Sequence, residues 1–488
     1  MNRYLSSVAI LCLIFLVPGA WAGPSFMPRS YEPMTLQVVE AGPAVQGVPV
    51  PPGFGWYSFA NHNHTVYSDG NGTVAQLIQR AADVGADAVS ILDHRTQEAC
   101  SDPNFSPIGG CVPMCGEEWG WNGHLGMLNM APGDPMASWS LEQAIPEALS
   151  RGATLVVHHP KTLGGDPWPY NDLHLGILGI EVWNSPSYLF GSGSEAVAWW
   201  DSLLRKGRII FALGGSDMHS LSGNPLTPCN YVLASSPDPD ALQQALEAGR
   251  IAILADNNAA KCLLWCDADD DGEFEIPMGA SVPVTGSRML RFRIEVYEGQ
   301  GHALSILTST GQVNTLTVGE GNPWHADIET AAGAGTKDFL RVEIPDPEDV
   351  LNPMDCVTNP IYVNYTAGDA DSDGLSDVLE QQFAINMYTQ DSDADGVSDD
   401  FEAGYDGNAA VYNPYNPLSN PSGTDMDALY DDTDYDGSKD FDELKLGPDP
   451  LDASSYPALP VTLNTCLALF FVLLATGGTL LVPSRKRY

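Results

Sequence analysis

The chain has 488 residues, 44% of them apolar, and a formal net charge of −42, so it is long enough for two to four packed units and too apolar for global disorder. Such an excess of acid excludes a general affinity for nucleic-acid backbones, which rewards Lys and Arg, and points to divalent cations as partners. Half of that charge lies in residues 367–456, which hold 23 acidic and 2 basic residues.

Residues 1–22 read as a signal peptide, with Arg3, the apolar run Val8–Val17 and the small-x-small site Ala20-Trp21-Ala22. Residues 23–55 are Pro/Gly-rich and read as a leader with little structure of its own. From Trp56 to Arg250, short apolar runs alternate with helical periodicity. The pattern predicts a helix over Thr73–Val84, with Leu77, Ile78, Ala81 and Val84 on one face, then a buried strand over Asp87–Leu92. A helix over Leu141–Leu149 and strands over Thr154–Val157 and Leu178–Val182 follow. Glu195–Arg205 is helical, Arg208–Leu213 a strand and Pro239–Ala248 a helix. The alternation predicts an α/β class with a parallel sheet or barrel over residues 56–250. Over residues 251–366 the period shortens to two, as in Leu290–Val296, Ala303–Leu307 and Phe339–Ile344, which predicts a small β-rich domain.

At the other end, residues 457–488 carry an apolar stretch, Val461–Val482, followed by Ser484-Arg485-Lys486-Arg487. It reads either as a retained span or as a sorting segment that is removed, and both stay open. The two ends together imply an exported protein, extracellular or periplasmic, held at the membrane or cell envelope. Seven cysteines lie between them: Cys100, Cys111, Cys115, Cys229, Cys262, Cys266 and Cys356. In an oxidising compartment the close spacings Cys111/Cys115 and Cys262/Cys266 favour disulfides, with zinc ligation as the alternative, and the odd count leaves a free thiol or an intermolecular bridge.

The chemistry lies where polar residues fall at the ends of predicted strands. His62 and His64 close the run Trp56–Ala60, Asp93-His94 follow Asp87–Leu92, and His158-His159-Pro160 follow Thr154–Val157. Glu181 and Asn184 close Leu178–Val182, and Asp217 and His219 follow Arg208–Leu213 through two glycines. Strand ends that converge on one rim would aim all of these groups at one pocket. On extended chain an x-His-x-His pair presents both imidazoles on one side. Mixed His, Asp and Glu ligation suits zinc, manganese or iron rather than calcium.

Taken in order, these segments resemble the metallohydrolases of the PHP (polymerase and histidinol phosphatase) family. Asn61-His62-Asn63-His64-Thr65-Val66-Tyr67-Ser68-Asp69-Gly70 is similar to the first family motif, with Asn61 where Asp is usual. Gly85-Ala86-Asp87 through Asp93-His94 resembles the second, and Gly116-Glu117-Glu118-Trp119 with Gly123-His124 the third. Val156-Val157-His158-His159-Pro160, Gly179 to Asn184 and Gly215-Ser216-Asp217-Met218-His219 complete the series. The Glu-Trp and Gly-His signatures are most similar to the carbaryl hydrolase-like (CehA/McbA) branch. The resemblance spans residue 56 to about residue 250. It implies a distorted (β/α)7 barrel with two or three divalent metals. The implied ligands are His62, His64, Asp69, His94, Glu118, His124, His159, Asp217 and His219, with Glu118 preferred to Glu117 and His159 to His158. It further implies hydrolysis of a small-molecule ester by a metal-activated water.

The leading expectation is a phosphoesterase acting on a mono- or diester. The alternatives are an amide or carbamate ester hydrolase, or a non-catalytic, calcium-dependent surface protein. Asp93 and Asp217 are candidate proton carriers, and Arg95, with Lys161, a candidate partner for an anionic substrate group. Trp119, Trp121 and Trp183 read as core packing ahead of pocket lining.

Residues 367–456 repeat a 12-residue loop with oxygens at positions 1, 3, 5 and 9, Gly at 6 and Glu at 12, which is calcium chemistry. The first copy carries Asp369, Asp371, Asp373, Asp377 and Glu380. The second carries Asp391, Asp393, Asp395, Asp399 and Glu402, and the third Asp432, Asp434, Asp436, Asp440 and Glu443. The array resembles bacterial thrombospondin type 3 repeats, which implies a calcium-stiffened stalk. Asp267-Ala268-Asp269-Asp270-Asp271-Gly272 lacks the closing Glu and reads as a turn.

Overall fold

A computed structural model of the chain describes residues 32–44, 46–161, 167–169, 173–174, 176–184, 192–346, 354–366, 369 and 390. The expected signal segment, the C-terminal apolar segment and every expected calcium-loop position except Asp369 lie outside the described residues. Among the described residues no helix is long and apolar enough to cross a membrane. They fall in one compact unit, Arg29–Gln390.

The protein is mixed α/β, with few helices and many strands. The first part runs β1 (Gln37–Pro43), β2 (Gly55–Ala60), α1 (Val74–Asp83), β3 (Ala88–Ile91), β4 (Val112–Trp119), β5 (His124–Leu128), α2 (Leu141–Ser150) and β6 (Thr154–His158). β7 (Ile177–Asn184), α3 (Ser192–Arg205), β8 (Phe211–Gly215), β9 (Cys229–Ala234), α4 (Pro239–Glu247) and β10 (Ile251–Leu254) follow. Local chemistry accounts for these elements. Thr73 and Gln76 form a reciprocal capping box at the start of α1, and Val74, Leu77, Ile78 and Ala81 form its buried face. β6 is buried at every position, as expected of a strand covered on both faces.

A long sheet path runs β10-β9-β2-β3-β4-β5-β6-β7-β8. β2-β3-β4 and β6-β7-β8 pair in parallel, while β5 is antiparallel to both β4 and β6. Strict strand–helix alternation therefore fails at β4–β5, where only residues 120–123 separate the strands. Beyond the ends of β2 and β8 the segments that follow them are bonded to one another. Ser216 N donates to Asn61 O at 3.0 Å, Met218 N to His62 O at 3.3 Å and His64 N to Met218 O at 3.0 Å.

The remaining strands are β11 (Lys261–Asp267), β12 (Ile276–Pro277), β13 (Ser281–Val282), β14 (Arg288–Tyr297), β15 (Ala303–Thr308), β16 (Gly311–Thr317), β17 (Trp324–Ala332), β18 (Asp338–Pro345), β19 (Met354–Thr358) and β20 (Ile361–Val363). Five strands form a second sheet, β1-β17-β14-β11-β12. The others extend the first sheet, because β10 pairs with β19 as well as with β9. Arg341 on β18 is fully buried and makes paired 2.8 Å bonds to Asp201 on α3, with a third of 2.7 Å to Glu343. Apolar packing is also continuous across residue 250, from Leu77 and Ile91 to Phe292 and Ile328.

Two expectations are corrected here. Gln37–Pro43, read as leader, is an edge strand on β17; its polar and glycine content hid a pairing that only a distant strand supplies. The disulfide is Cys100–Cys115, while Cys111, Cys229, Cys262, Cys266 and Cys356 are buried free thiols. Cys262 and Cys266 lie on one strand, where four residues span roughly 13 Å, too far to bridge. Asp267 accepts backbone bonds from Asp270, Asp271 and Gly272, so that acidic segment is a turn.

Candidate metal centre

Glu118, near the end of β4, sits at the middle of a buried group of histidines. The chain at 93–95 runs alongside it: Glu118 N donates to Asp93 O at 3.1 Å and Arg95 N to Glu118 O at 2.9 Å. The Oε1 of Glu118 lies 2.9 Å from His62 Nε2, 3.0 Å from His158 Nδ1, 3.1 Å from His124 Nδ1 and 3.2 Å from His159 Nε2. Its Oε2 is 2.9 Å from His94 Nδ1 and 3.5 Å from His64 Nε2. A carboxylate oxygen has about two lone pairs, so four imidazole nitrogens around one of them cannot all be hydrogen-bonded to it. His62 Nε2, both ring nitrogens of His64, His94 Nδ1 and Glu118 Oε2 are buried and make no aligned hydrogen bond. Buried polar atoms are nearly always paired. A convergence of unpaired nitrogen and carboxylate donors therefore fits cations in their midst.

The donors fall into overlapping groups whose ligand atoms lie within 4.8 Å of one another: His64, Asp69, His94 and His219; His62, His159 and Asp217; His94, Glu118 and His124. Asp69 lies at the open side, 3.2 Å from His219 Nε2 and 3.5 Å from His94 Nε2. Asp217 Oδ1 lies 3.2 Å from His64 Nε2 and 3.4 Å from His62 Nε2. All nine residues expected as ligands are thus brought together. The donor types suit zinc, manganese or iron. Two further groups, His158 and Glu181, join them with His62.

The route to this geometry differs from simple strand alternation. His62 has φ 63°, and Asp217 and His159 also have positive φ, at 49° and 26°. Non-glycine residues rarely adopt this region, and such strain collects at functional sites. Bonds between the 61–64 and 216–218 segments, rather than extended chain, hold His62 and His64 with ring centroids 5.1 Å apart. Close packing is equally local: a Cβ at Gly126 would overlap the ring of His158, so only glycine fits there.

Charge follows the same pattern. Burial opposes a charge on His62, yet Glu118, Glu181 and Asp217 raise its pKa well above the usual range. Burial and the neighbouring His62 push His158 down to about 4, so it is neutral. Glu118 stays well below the normal carboxylate range, because the imidazoles outweigh its burial. Glu117, its neighbour on the other face of β4, is pushed up to about 7 by burial.

Asp93 is not in the donor cluster. Its carboxylate accepts bonds from Thr65 N at 2.8 Å, Thr65 Oγ1 at 2.6 Å and Ser68 Oγ at 2.6 Å, which ties down the loop carrying Asp69. Arg95 Nη1 donates to Gly120 O at 2.9 Å and its guanidinium lies 3.7 Å from the ring centroid of Trp121. Lys161 faces the ring of Trp199. Trp119 and Trp183 are buried, but Trp121 is 64% exposed, correcting its expected place in the core. Asn61 is engaged by Ser90 Oγ at 2.9 Å and bonds Gly214 O at 3.3 Å. Glu181 was legible as a strand-end carboxylate, whereas no local signal favoured His158 over its neighbour.

No protein-family model matches the chain, and no curated protein matches it. Among solved structures, a two-domain protein from Bacteroides vulgatus, containing a predicted PHP-like metal-dependent phosphoesterase, is 16% identical, covering 65% of this chain and 97% of its own, with a TM-score of 0.38. An amidohydrolase from Chromobacterium violaceum is 14% identical, over 33% of this chain and 87% of its own, with a TM-score of 0.25. A candidate metal-dependent phosphoesterase from Bifidobacterium adolescentis is 16% identical, over 34% and 88%, with a TM-score of 0.22. These likenesses are too slight to assign a fold or an activity.

Proposed function

We propose that the chain is a metal-dependent hydrolase, and specifically a phosphoesterase acting on small-molecule phosphate esters. The observation that carries this reading is the set of buried imidazole and carboxylate atoms that converge on Glu118 without aligned hydrogen-bond partners. His62, His64, Asp69, His94, Glu118, His124, His159, Asp217 and His219 would hold two or three ions of zinc, manganese or iron. Ions so held lower the pKa of bound water towards neutrality and offset charge on a phosphoryl oxygen.

The chain's own groups do the rest. Asp217, among His62, His64 and His219, is the carboxylate proposed to carry a proton. Asp93 holds the loop that brings in Asp69. Arg95, next in the chain to His94 and braced on Trp121, is proposed to meet an anionic substrate group. We further propose that β2 to β8 form a distorted seven-stranded barrel, a reading supported by the bonds between the 61–64 and 216–218 segments.

Metal analysis of the purified full chain, with assays on p-nitrophenyl phosphate, bis(p-nitrophenyl) phosphate and p-nitrophenyl carboxylic and carbamic esters, tests the proposal. Phosphate ester turnover with bound transition metal supports it. Turnover of the carboxylic or carbamic esters alone moves the assignment to the amide and carbamate class. A metal-free, inactive chain leaves a non-catalytic surface protein. We also propose export, retention at the cell envelope and calcium loading of residues 367–456. Calcium chelation should then raise protease cleavage within 367–456 and leave the rest intact; unchanged cleavage would refute the stalk.

A further inference from the structure

Glu181 is 1% exposed and divides its carboxylate between two of the proposed ligands. Its Oε1 lies 3.0 Å from His62 Nδ1. Its Oε2 accepts bonds from His159 N at 2.7 Å and Asn184 Nδ2 at 2.9 Å. The fold makes room for it on purpose-built backbone. The parallel β7–β8 register shifts between Glu181 and Trp183, a local irregularity of the kind found beside active sites. Across that pairing, a Cβ on Gly215 would collide with the Glu181 carboxylate, so only glycine leaves the space.

We propose that Glu181 is a positioning residue for the metal centre, holding the His62 ring by one oxygen and the His159 backbone by the other. This rests on the metal-centre reading above. An ionised carboxylate only accepts hydrogen bonds, so the Oε1 contact keeps a proton on His62 Nδ1, and a cation seated beside Glu118 and Asp217 would displace the proton from Nε2 and take its lone pair. With the opposite tautomer, Nε2–H would point at the site of the ion. The second oxygen acts on backbone. It anchors the N–H of His159 at φ 26°, a conformation that an unsupported residue would relax out of. Glu181 thereby couples two ligands from separate strands, and its own neighbour on β7, Asn184, fixes the carboxylate plane.

The test is zinc binding by the full chain and its Glu181→Gln variant, measured by competition with a chromophoric chelator, together with 15N-histidine NMR of the zinc-loaded proteins. Glutamine keeps the shape but must turn its NH2 towards a donor. The expected result is unchanged stoichiometry with roughly 10- to 100-fold weaker zinc affinity, the usual scale for an outer partner of a ligating histidine. In wild type, His62 should bind zinc through Nε2 and show a slowly exchanging Nδ1–H that moves in the variant.

Equal affinity in the two proteins overturns the proposal while leaving the metal centre standing. Loss of a whole zinc equivalent with the His62 Nδ1–H unmoved makes Glu181 a ligand and overturns it too. Wild-type protein that takes up no zinc, manganese or iron sinks the metal-centre reading along with it. Should Glu181→Gln not fold, the wild-type NMR still decides: His62 bound through Nδ1 refutes the assignment.

Discussion

Glu118 and Arg341 are both fully buried charges, but their surroundings are opposite. Around Arg341 every charged group has a geometric match: two 2.8 Å bonds to Asp201 and one of 2.7 Å to Glu343. Around Glu118 six imidazoles crowd one carboxylate, and several buried nitrogens have no aligned partner. The first arrangement is complete as protein and joins β18 to α3. The second is incomplete as protein and fits cations. A single buried charge can be matched by protein alone, as at Arg341, whereas a cluster of ligand-type atoms left unmatched, as around Glu118, is a candidate site for cations.

The sharpest way to break that contrast is to remove the proposed cations. Chelation, or Glu118→Gln, should lower hydrolysis by about 10³-fold, since a metal supplies several kcal/mol of charge stabilisation and each ~1.4 kcal/mol is tenfold in rate. Steady-state assays before and after zinc or manganese is restored check this. Full activity after complete metal removal would dissolve the distinction. Next in size, Arg341→Met leaves the buried Asp201 and the half-buried Glu343 without their cation and should cost about 3–5 kcal/mol in urea unfolding. Metal content per folded molecule should stay unchanged. A variant that unfolds normally but loses metal would show that the two clusters are one system.

A smaller effect is expected at Asp93, which serves the metal cluster while being fully hydrogen-bonded itself. Asp93→Asn weakens the hold on Thr65 and Ser68 and should reduce metal affinity by roughly tenfold, read by chelator competition. The smallest effect concerns Glu295, whose Oε1 accepts from Val48 N at 2.7 Å and whose Oε2 is buried unpaired. Burial raises its pKa above the ordinary 4.5. A carboxyl with a raised folded pKa contributes stability below its unfolded pKa and loses it as pH rises through the folded value. Glu295→Gln should therefore match wild type in Tm at acid pH and exceed it increasingly towards neutrality. A difference that does not change with pH would count against a buried charge there.

Much of this organisation was legible locally. Periodicity marked α1, β6 and α4 to within a residue or two, because an amphipathic face or a fully buried strand is written in consecutive residues. Strand ends likewise announced His62, His94, Asp217 and His219 as a converging set. Their meeting depends on positive φ at His62 and Asp217, which no period of two foretells.

What the sequence by itself determined is part of the inventory: the helices and several of the strands, and that ligand-type side chains fall at strand ends. Tertiary structure decided the partners. It chose Cys115 for Cys100 and β17 for the leader segment, set Glu118 among six histidines, and brought Glu181 to His62 across 119 residues of chain. The reason is physical. Backbone propensity and hydrophobic period act over a few residues, whereas pairing, burial and the matching of buried charge are settled only when distant segments compete for the same interior space.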